Sequence, residues 1–299
     1  MNIYSCVDSK NIDKILVLFK SCYYNSSEKD KLKFYLLVDE LNTDIKNPPE
    51  LKLEIRQLDF NFLKENDWLD INKEFSNYFY KQGTKCNHIM NFCRFFVFEH
   101  FPEIETAVYL DWDMIVQDDI FKLHEYYLMC NSNDKFIVAE SIKWKSIAYN
   151  ILNYDEIVGS YFNGRIINAS VQSLKLIKPK INKLWMDNIN KFEGIINKNL
   201  SLNINLNKKT FNAGFNIVNK NIFNLESLKE TILKLINIQK EHNCFRFGTQ
   251  VIMNFLTDNI EFVESKWNNS DLSSSIIHWS GPSKPWETND EIWLKYKNL

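Results

Sequence analysis

The stretch VYLDWDMIV, residues 108–116, sets two carboxylates, Asp111 and Asp113, one residue apart inside an otherwise apolar run. Residues 107–110 have the length and apolarity of a buried strand, so the acidic pair sits where that strand emerges. In open α/β sheets, ligands bind just beyond the carboxyl ends of the strands. Two carboxylates this close repel each other, and a divalent cation removes that cost. Oxygen ligands of this kind suit Mg²⁺ or Mn²⁺, often shared with a substrate's phosphates. The same tripeptide also serves as an ordinary turn or helix N-cap, which is how Asp118 and Asp119 read.

The surrounding pattern is α/β. Residues 2–7 and 33–38 are apolar runs of strand length, and 51–58 alternates with the period of a half-buried strand. Between the first two, residues 11–24 space Ile15, Leu18, Phe19 and Cys22 as one helix face. Residues 87–101 predict a single apolar helix that carries Arg94 and is stopped by Pro102. Further on, 135–139 and 260–263 read as strands, 225–240 as an amphipathic helix, and FNAGFNIVN (211–219) as a loop feeding a strand. A helical pattern lies near 180–196, and a short helix closes the chain.

Composition excludes several classes. The 299 residues are 45% hydrophobic and 25% charged, ordinary for a globular protein with a substantial core. The formal net charge of -2 gives no bulk attraction to nucleic acid or anionic lipid. No run approaches a membrane span and the N-terminus lacks a signal-peptide pattern, so a cytoplasmic protein is expected. The six cysteines are scattered without a C-x-x-C pair and read as buried free thiols. The triplets at Asn25, Asn168, Asn199 and Asn268 carry no weight in so Asn-rich a chain.

A second chemistry-bearing stretch is HWSGPSKPW, residues 278–286. His278 offers an imidazole nitrogen to a metal, Gly281 lets backbone approach a diphosphate, and Lys284 supplies a point charge for phosphate oxygen. A metal, a diphosphate and a lysine are compatible parts of one site. A haloacid-dehalogenase-type phosphatase also begins with a strand and D-x-D, but Ile115 stands where that motif has Thr or Val, and no later acidic metal motif follows.

Taken in order, the motifs resemble glycosyltransferase family 8, which includes glycogenin and bacterial lipopolysaccharide galactosyltransferases. CVDSKN with a helix carrying Lys20 and Ser21 resembles the family's first strand and helix. Cys93-Arg94-Phe95 resembles its A-R-L, YLDWDMIV its Y-L-D-x-D-x-x-V, and FNAGFNIVN its F-N-A-G-x-x-x-x-N. Thr249-Gln250 with Asn254 resembles its D-Q-x-x-x-N, and HWSGPSKPW its H-x-x-G-x-x-K-P-W.

The resemblance implies a GT-A fold, α/β and Rossmann-like with a mixed central sheet, as a single domain over 1–299. It implies a UDP-sugar donor, Mn²⁺ (or Mg²⁺), and transfer with retention to a glycan, protein or lipid hydroxyl. Asp111, Asp113 and His278 would hold the metal. Gly281 and Lys284 would stabilise the diphosphate, Cys6, Val7 and Asp8 would meet the uracil, and Asn11 the ribose or base. Trp112, Arg94, Asn212 and Ala213 would lie along the donor, with Gln250 beside the anomeric carbon.

Two departures bear on activity. Thr249 replaces the family's Asp, which puts the donor sugar in question and leaves glucose, galactose and N-acetylglucosamine open; Lys10 stands where the family has Asn. The segment at about 142–209 is longer than the family pattern by roughly a helix pair. It carries Trp144, Tyr149, Tyr154, Tyr161, Phe162 and Trp185, and reads as an acceptor-binding or dimerisation insertion. A self-glycosylating initiator and a non-catalytic nucleotide-sugar scaffold are the alternatives.

Overall fold

The computed structural model describes residues 1–41, 47–80, 88–154, 157, 171–246 and 248–299. The first half runs β1 (Asn2–Val7), α1 (Ile12–Asn25), β2 (Lys33–Val38), β3 (Leu53–Gln57), α2 (Phe60–Glu65), α3 (Trp68–Phe79), α4 (His88–Phe92) and α5 (Val97–His100). Then come β4 (Thr106–Leu110), β5 (Met114–Val116), α6 (His124–Asn133), β6 (Phe136–Glu140), α7 (Ile147–Ile151) and α8 (Val171–Leu200). The chain continues through β7 (Phe211–Asn219), α9 (Leu225–His242), α10 (Gly248–Met253), β8 (Ile260–Val263), β9 (Ile276–His278), α11 (Pro285–Thr288) and α12 (Glu291–Lys297).

Seven strands form one sheet in the order β3-β2-β1-β4-β7-β6-β8, and β5 pairs with β9 in a separate ribbon. β7 runs antiparallel to both of its neighbours, while the remaining pairings are parallel, so the sheet is mixed. Both faces are covered. In β4, Ala107 and Tyr109 pack on the side of α3 and α9, and Val108 and Leu110 on the side of α1 and α6. This double burial is why the central strands read as unbroken apolar runs, whereas the edge strand β3 keeps its alternation.

Three departures from the sequence reading bear on the site and the core beside it. The segment 88–100 is not one helix: α4 passes through a 3₁₀ turn at Cys93–Phe96 before α5. The Arg94 side chain donates from Nε to the Asn91 carbonyl (3.0 Å), and Tyr4 donates its hydroxyl to the Arg94 carbonyl (3.0 Å). These carbonyls are the acceptors a regular helix offers to amides four residues on, so the side-chain bonds share them where the 3₁₀ turn occurs.

FNAGFNIVN is strand throughout, not loop then strand. Its first half pairs with β6 at Glu140↔Phe211, and its second half pairs with β4 from Leu110↔Phe215 to Thr106↔Asn219. Residues 60–79, given no element from sequence, form α2 and α3, which bury Leu63, Trp68, Phe75 and Phe79. Phe75 and Phe79 stack at 4.1 Å, and each fully buried ring of this size contributes roughly 1.5–3 kcal/mol.

Cys6, Cys22, Cys93, Cys130 and Cys244 are free and buried, as expected; Cys86 lies outside the described residues. No described helix is long and apolar enough to cross a membrane. Of the aromatic residues singled out between 142 and 209, Tyr161 and Phe162 lie outside the described residues.

Candidate active site

The carboxyl end of β4 delivers Asp111. Its amide donates to the Gly214 carbonyl on β7 (2.8 Å), so the sheet ladder extends to the first acidic residue. The chain then turns, and Asp113 immediately precedes β5. Pairing of β5 with β9 places Met114 opposite His278, and the Trp279 amide donates to the Asp113 carbonyl (3.1 Å). Asp113 and His278, 165 positions apart in the chain, are thus brought together by the small ribbon.

One ligand atom from each of Asp111, Asp113 and His278 lies within 4.8 Å of the others. Nε2 of His278 is 3.3 Å from Asp113 Oδ1 and 3.9 Å from Asp111 Oδ2. Its other nitrogen, Nδ1, is 2.7 Å from Asn268 Oδ1. Asn268 is oriented by donating its amide to the Asn212 carbonyl (2.9 Å), which leaves Oδ1 as an acceptor. Nδ1 therefore carries a proton, and in the neutral ring the lone pair on Nε2 faces two carboxylates. That arrangement is repulsive unless a cation or a proton lies between them. The donor set, two carboxylates and one imidazole with its tautomer held from behind, fits a divalent cation.

Gly214 makes room for the imidazole. A Cβ there would sit 2.4 Å from His278 Cε1 and 2.8 Å from Met114 Cε, closer than any side-chain carbon can approach.

Cations surround the acidic pair. Lys284 donates to Asp113 Oδ2 and to the Trp279 carbonyl (2.9 Å for the latter). Burial works to raise the Asp113 pKa, but the His278 ring, when a proton lies between it and the carboxylate, and the Lys284 ammonium outweigh it and hold the carboxyl down at about 2. Arg94, only 4% exposed, reaches Asp111 Oδ1 (3.2 Å), the Ala213 carbonyl (3.1 Å) and both oxygens of Asn91. Tyr109 donates its hydroxyl to the same Asp111 oxygen; burial keeps the phenol protonated and so able to donate.

Most of the residues expected at the site gather here. Asn212, Ala213, Thr249, Gln250, Arg94 and Asp111 line a cavity of about 200 Å³, together with Tyr80, Asn91, Gly214 and Gly248. Tyr80 packs against Gly248 so closely that a Cβ at Gly248 would meet its ring at 2.5 Å. Gln250 is clamped at both ends: its Oε1 accepts from the Ala213 amide (2.7 Å) and its Nε2 donates to the Phe211 carbonyl (3.0 Å). An adjoining cavity of about 260 Å³ shares Asn212 and Gln250 and extends past His278 to Trp144, Asn150, Asn269 and Ser280.

Other expected residues are placed differently. Cys6 and Val7 are buried at the end of β1, and Asp8 follows them at the same sheet edge as Asp111, β1 and β4 being parallel neighbours. Asn11 accepts from Lys14 Nζ (2.6 Å). The Trp112 ring stacks on Trp286 (4.6 Å), with Lys14 over both. The Gly281 amide donates to the Trp279 carbonyl (2.7 Å). Asp118 and Asp119 are the solvated turn expected of them, Asp118 pairing with Lys122 (2.7 Å) and Asp119 capping the Phe121 amide (2.9 Å). Sequence reasoning missed Asn268, Tyr109, Asn91, Tyr80 and Lys14, whose contacts all come from packing.

A family model for glycosyl transferase family 8 matches residues 2–290. The chain belongs to that family. Family 8 membership makes it a glycosyltransferase, and its mixed sheet with flanking helices is the GT-A fold of its structural neighbours. One such neighbour is the galactosyltransferase LgtC solved with donor and acceptor sugar analogues (12% identity, TM-score 0.60, 100% of this chain and 95% of that one). Others are the glycosyltransferase GlyE of Streptococcus pneumoniae (18%, 0.52, 100% and 60%) and mouse xyloside xylosyltransferase 1 (11%, 0.52, 94% and 98%). No curated protein sequence matches the chain.

The His278–Asn268 contact yields a direct expectation for this family 8 site. Asn268→Ala frees the imidazole to rotate and to exchange tautomers, and should weaken divalent-cation binding by about 10–100-fold. Calorimetric titration of Mn²⁺ into the variant measures this, with the melting temperature as the check on folding. Unchanged affinity would remove Asn268 from the site.

Proposed function

We propose that the protein transfers a hexose from a UDP-sugar to a saccharide hydroxyl, with Mn²⁺ and with retention of configuration. The observation that carries this is the convergence of Asp111, Asp113 and His278 Nε2, with Asp111 also lining the cavity that holds Arg94, Asn212, Ala213, Thr249 and Gln250. Those three residues would hold the cation, and the nitrogen ligand favours Mn²⁺ over the harder Mg²⁺. When bound, the cation supplies Lewis-acid neutralisation of the diphosphate leaving group.

The chain's own residues do the rest. Lys284 sits on Asp113 and is within reach of the same charge, so it adds a mobile ammonium for phosphate oxygen. Gly281 has open space around its Cα, and its amide turns to the diphosphate when it leaves the Trp279 carbonyl. Asp8 with the backbone of Cys6 and Val7 takes the base at the end of β1, with Asn11 beside them. Arg94 holds Asp111 rigidly, and Asn212 and Ala213 border the sugar.

The smaller cavity suits the donor sugar and the larger the acceptor, since they meet at Asn212 and Gln250. Gln250 is a poor nucleophile, and its amide oxygen is engaged by the Ala213 amide. This favours attack by the acceptor oxygen on the leaving-group face. The anomeric C–O bond to the diphosphate breaks, the new C–O bond forms on the same face, and the acceptor proton passes to the departing phosphate oxygen.

The test is incubation with Mn²⁺ and a panel of UDP-sugars, measuring UDP release. Release with one sugar names the donor. Tight UDP binding without turnover leaves a missing acceptor or a site disabled at the shorter, uncharged Thr249, and Thr249→Asp separates the two by restoring turnover only in the second case. No UDP binding at all refutes the proposal.

A further inference from the structure

The larger cavity has a charge character that the donor site does not require. Its described lining is Asn- and Ser-rich, suited to sugar hydroxyls, and contains Lys143 but no Asp or Glu. Lys143 is exposed and, among the described residues, has no carboxylate partner; its ammonium lies 5.4 Å from the Trp144 ring. Arg246 lies over the same ring at 4.6 Å and is held there by donating to the Tyr149 carbonyl (2.7 Å).

The ledge behind the cavity repeats the sign. The Ser141 amide donates to the Thr210 carbonyl (2.9 Å) and the Ile147 amide to the Lys208 carbonyl (3.0 Å), which lays 141–147 beside 208–210. That ledge presents Lys143, Lys145, Lys208 and Lys209. Among the described residues, its one ion pair is Lys209–Glu140 (2.8 Å). In a chain of net charge -2, this lysine cluster beside a cavity with no carboxylate in its described lining is a local feature, and it raises the concentration of anions there.

Resting on the glycosyl-transfer reading above, we propose that this cavity takes an acidic saccharide, one carrying a phosphate or carboxylate beside the hydroxyl that receives the sugar. Lys143 meets the charge as a mobile ammonium. The Asn150, Asn269 and Ser280 side chains border the neutral part, and Asn212 and Gln250 mark where the reacting hydroxyl meets the donor.

The test uses the full chain saturated with Mn²⁺ and UDP, and three saccharides of one skeleton: galactose, galactose 6-phosphate and galacturonic acid. Binding is measured by ligand-observed magnetic resonance at low and high salt. At low salt an acidic member should bind at least ten-fold tighter than galactose, and about 0.5 M NaCl should erase most of that advantage. Lys143→Met should bring the acidic ligand to within about two-fold of galactose, and Lys143→Glu should make it weaker than galactose. Preference for the phosphate identifies a phosphorylated acceptor, and preference for the uronate an acidic sugar. Equal binding of neutral and acidic members, or binding of none of the three, overturns the proposal. UDP affinity, measured first, separates the two readings: if UDP does not bind, it is the transferase site that fails.

Discussion

Asp113→Asn is expected to weaken Mn²⁺ binding at least 100-fold and to lower sugar transfer by about three orders of magnitude. The variant keeps the shape of the side chain, so the turn between β4 and β5 survives, but it removes the charge that both His278 and Lys284 face. Neutralising the leaving group is worth several kcal/mol, and each 1.4 kcal/mol is ten-fold in rate. Mn²⁺ titration and UDP release are the two measurements; retention of transfer within ten-fold would show that the cation is held elsewhere. The same substitution has a signature in the metal-free protein. Asp113 has its pKa depressed to about 2, so its contribution is fully present above the unfolded value near 4 and is lost as pH falls through 2. The stability difference between wild type and variant should therefore narrow across that window in denaturant titrations.

Arg94→Leu is expected to cost about 3–5 kcal/mol of stability, because it strands the Asp111 carboxylate next to a buried wall. The guanidinium also satisfies the Ala213 carbonyl and Asn91, and leucine satisfies none of them. At roughly 2–4 °C per kcal/mol for a chain approaching this size, the melting temperature should drop by about 10 °C. Arg94→Lys should fall between, since one ammonium cannot fork to partners on three segments. The double variant Arg94→Leu with Asp111→Asn should recover about 1–2 kcal/mol of the loss, because the penalty is an uncompensated charge rather than lost packing. If the double variant is additive instead, Arg94 acts by filling space.

How much was legible in the sequence differs between strands and site. Strands β1, β2 and β4 were read closely, because burial on both faces makes each an apolar run with little ambiguity. The helix pair over 60–79 was not, since Trp68, Phe75 and Phe79 alternate with polar residues that cap and solvate it. The break at Arg94 was hidden as well: an apolar periodicity cannot reveal that the Arg94 side chain donates to the Asn91 carbonyl.

For the site, the chain order of YLDWDMIV, FNAG, Thr249-Gln250 and HWSGPSKPW determined the family and the residue types available for a cation and a diphosphate. Those are local matters: which residues end a strand, and which carry oxygen, nitrogen or charge. What brings His278 against Asp113 is the β5–β9 ribbon, and what orients its ring is Asn268 on a segment that no motif marks. The clamp on Gln250, the cradle at Gly214 and the cationic ledge beside Trp144 depend equally on contacts between distant segments. Spacing along a chain encodes the period of a helix or strand but not the register between segments far apart. That register is decided by burying both sheet faces at once, and so only the tertiary structure could set these residues within bonding distance.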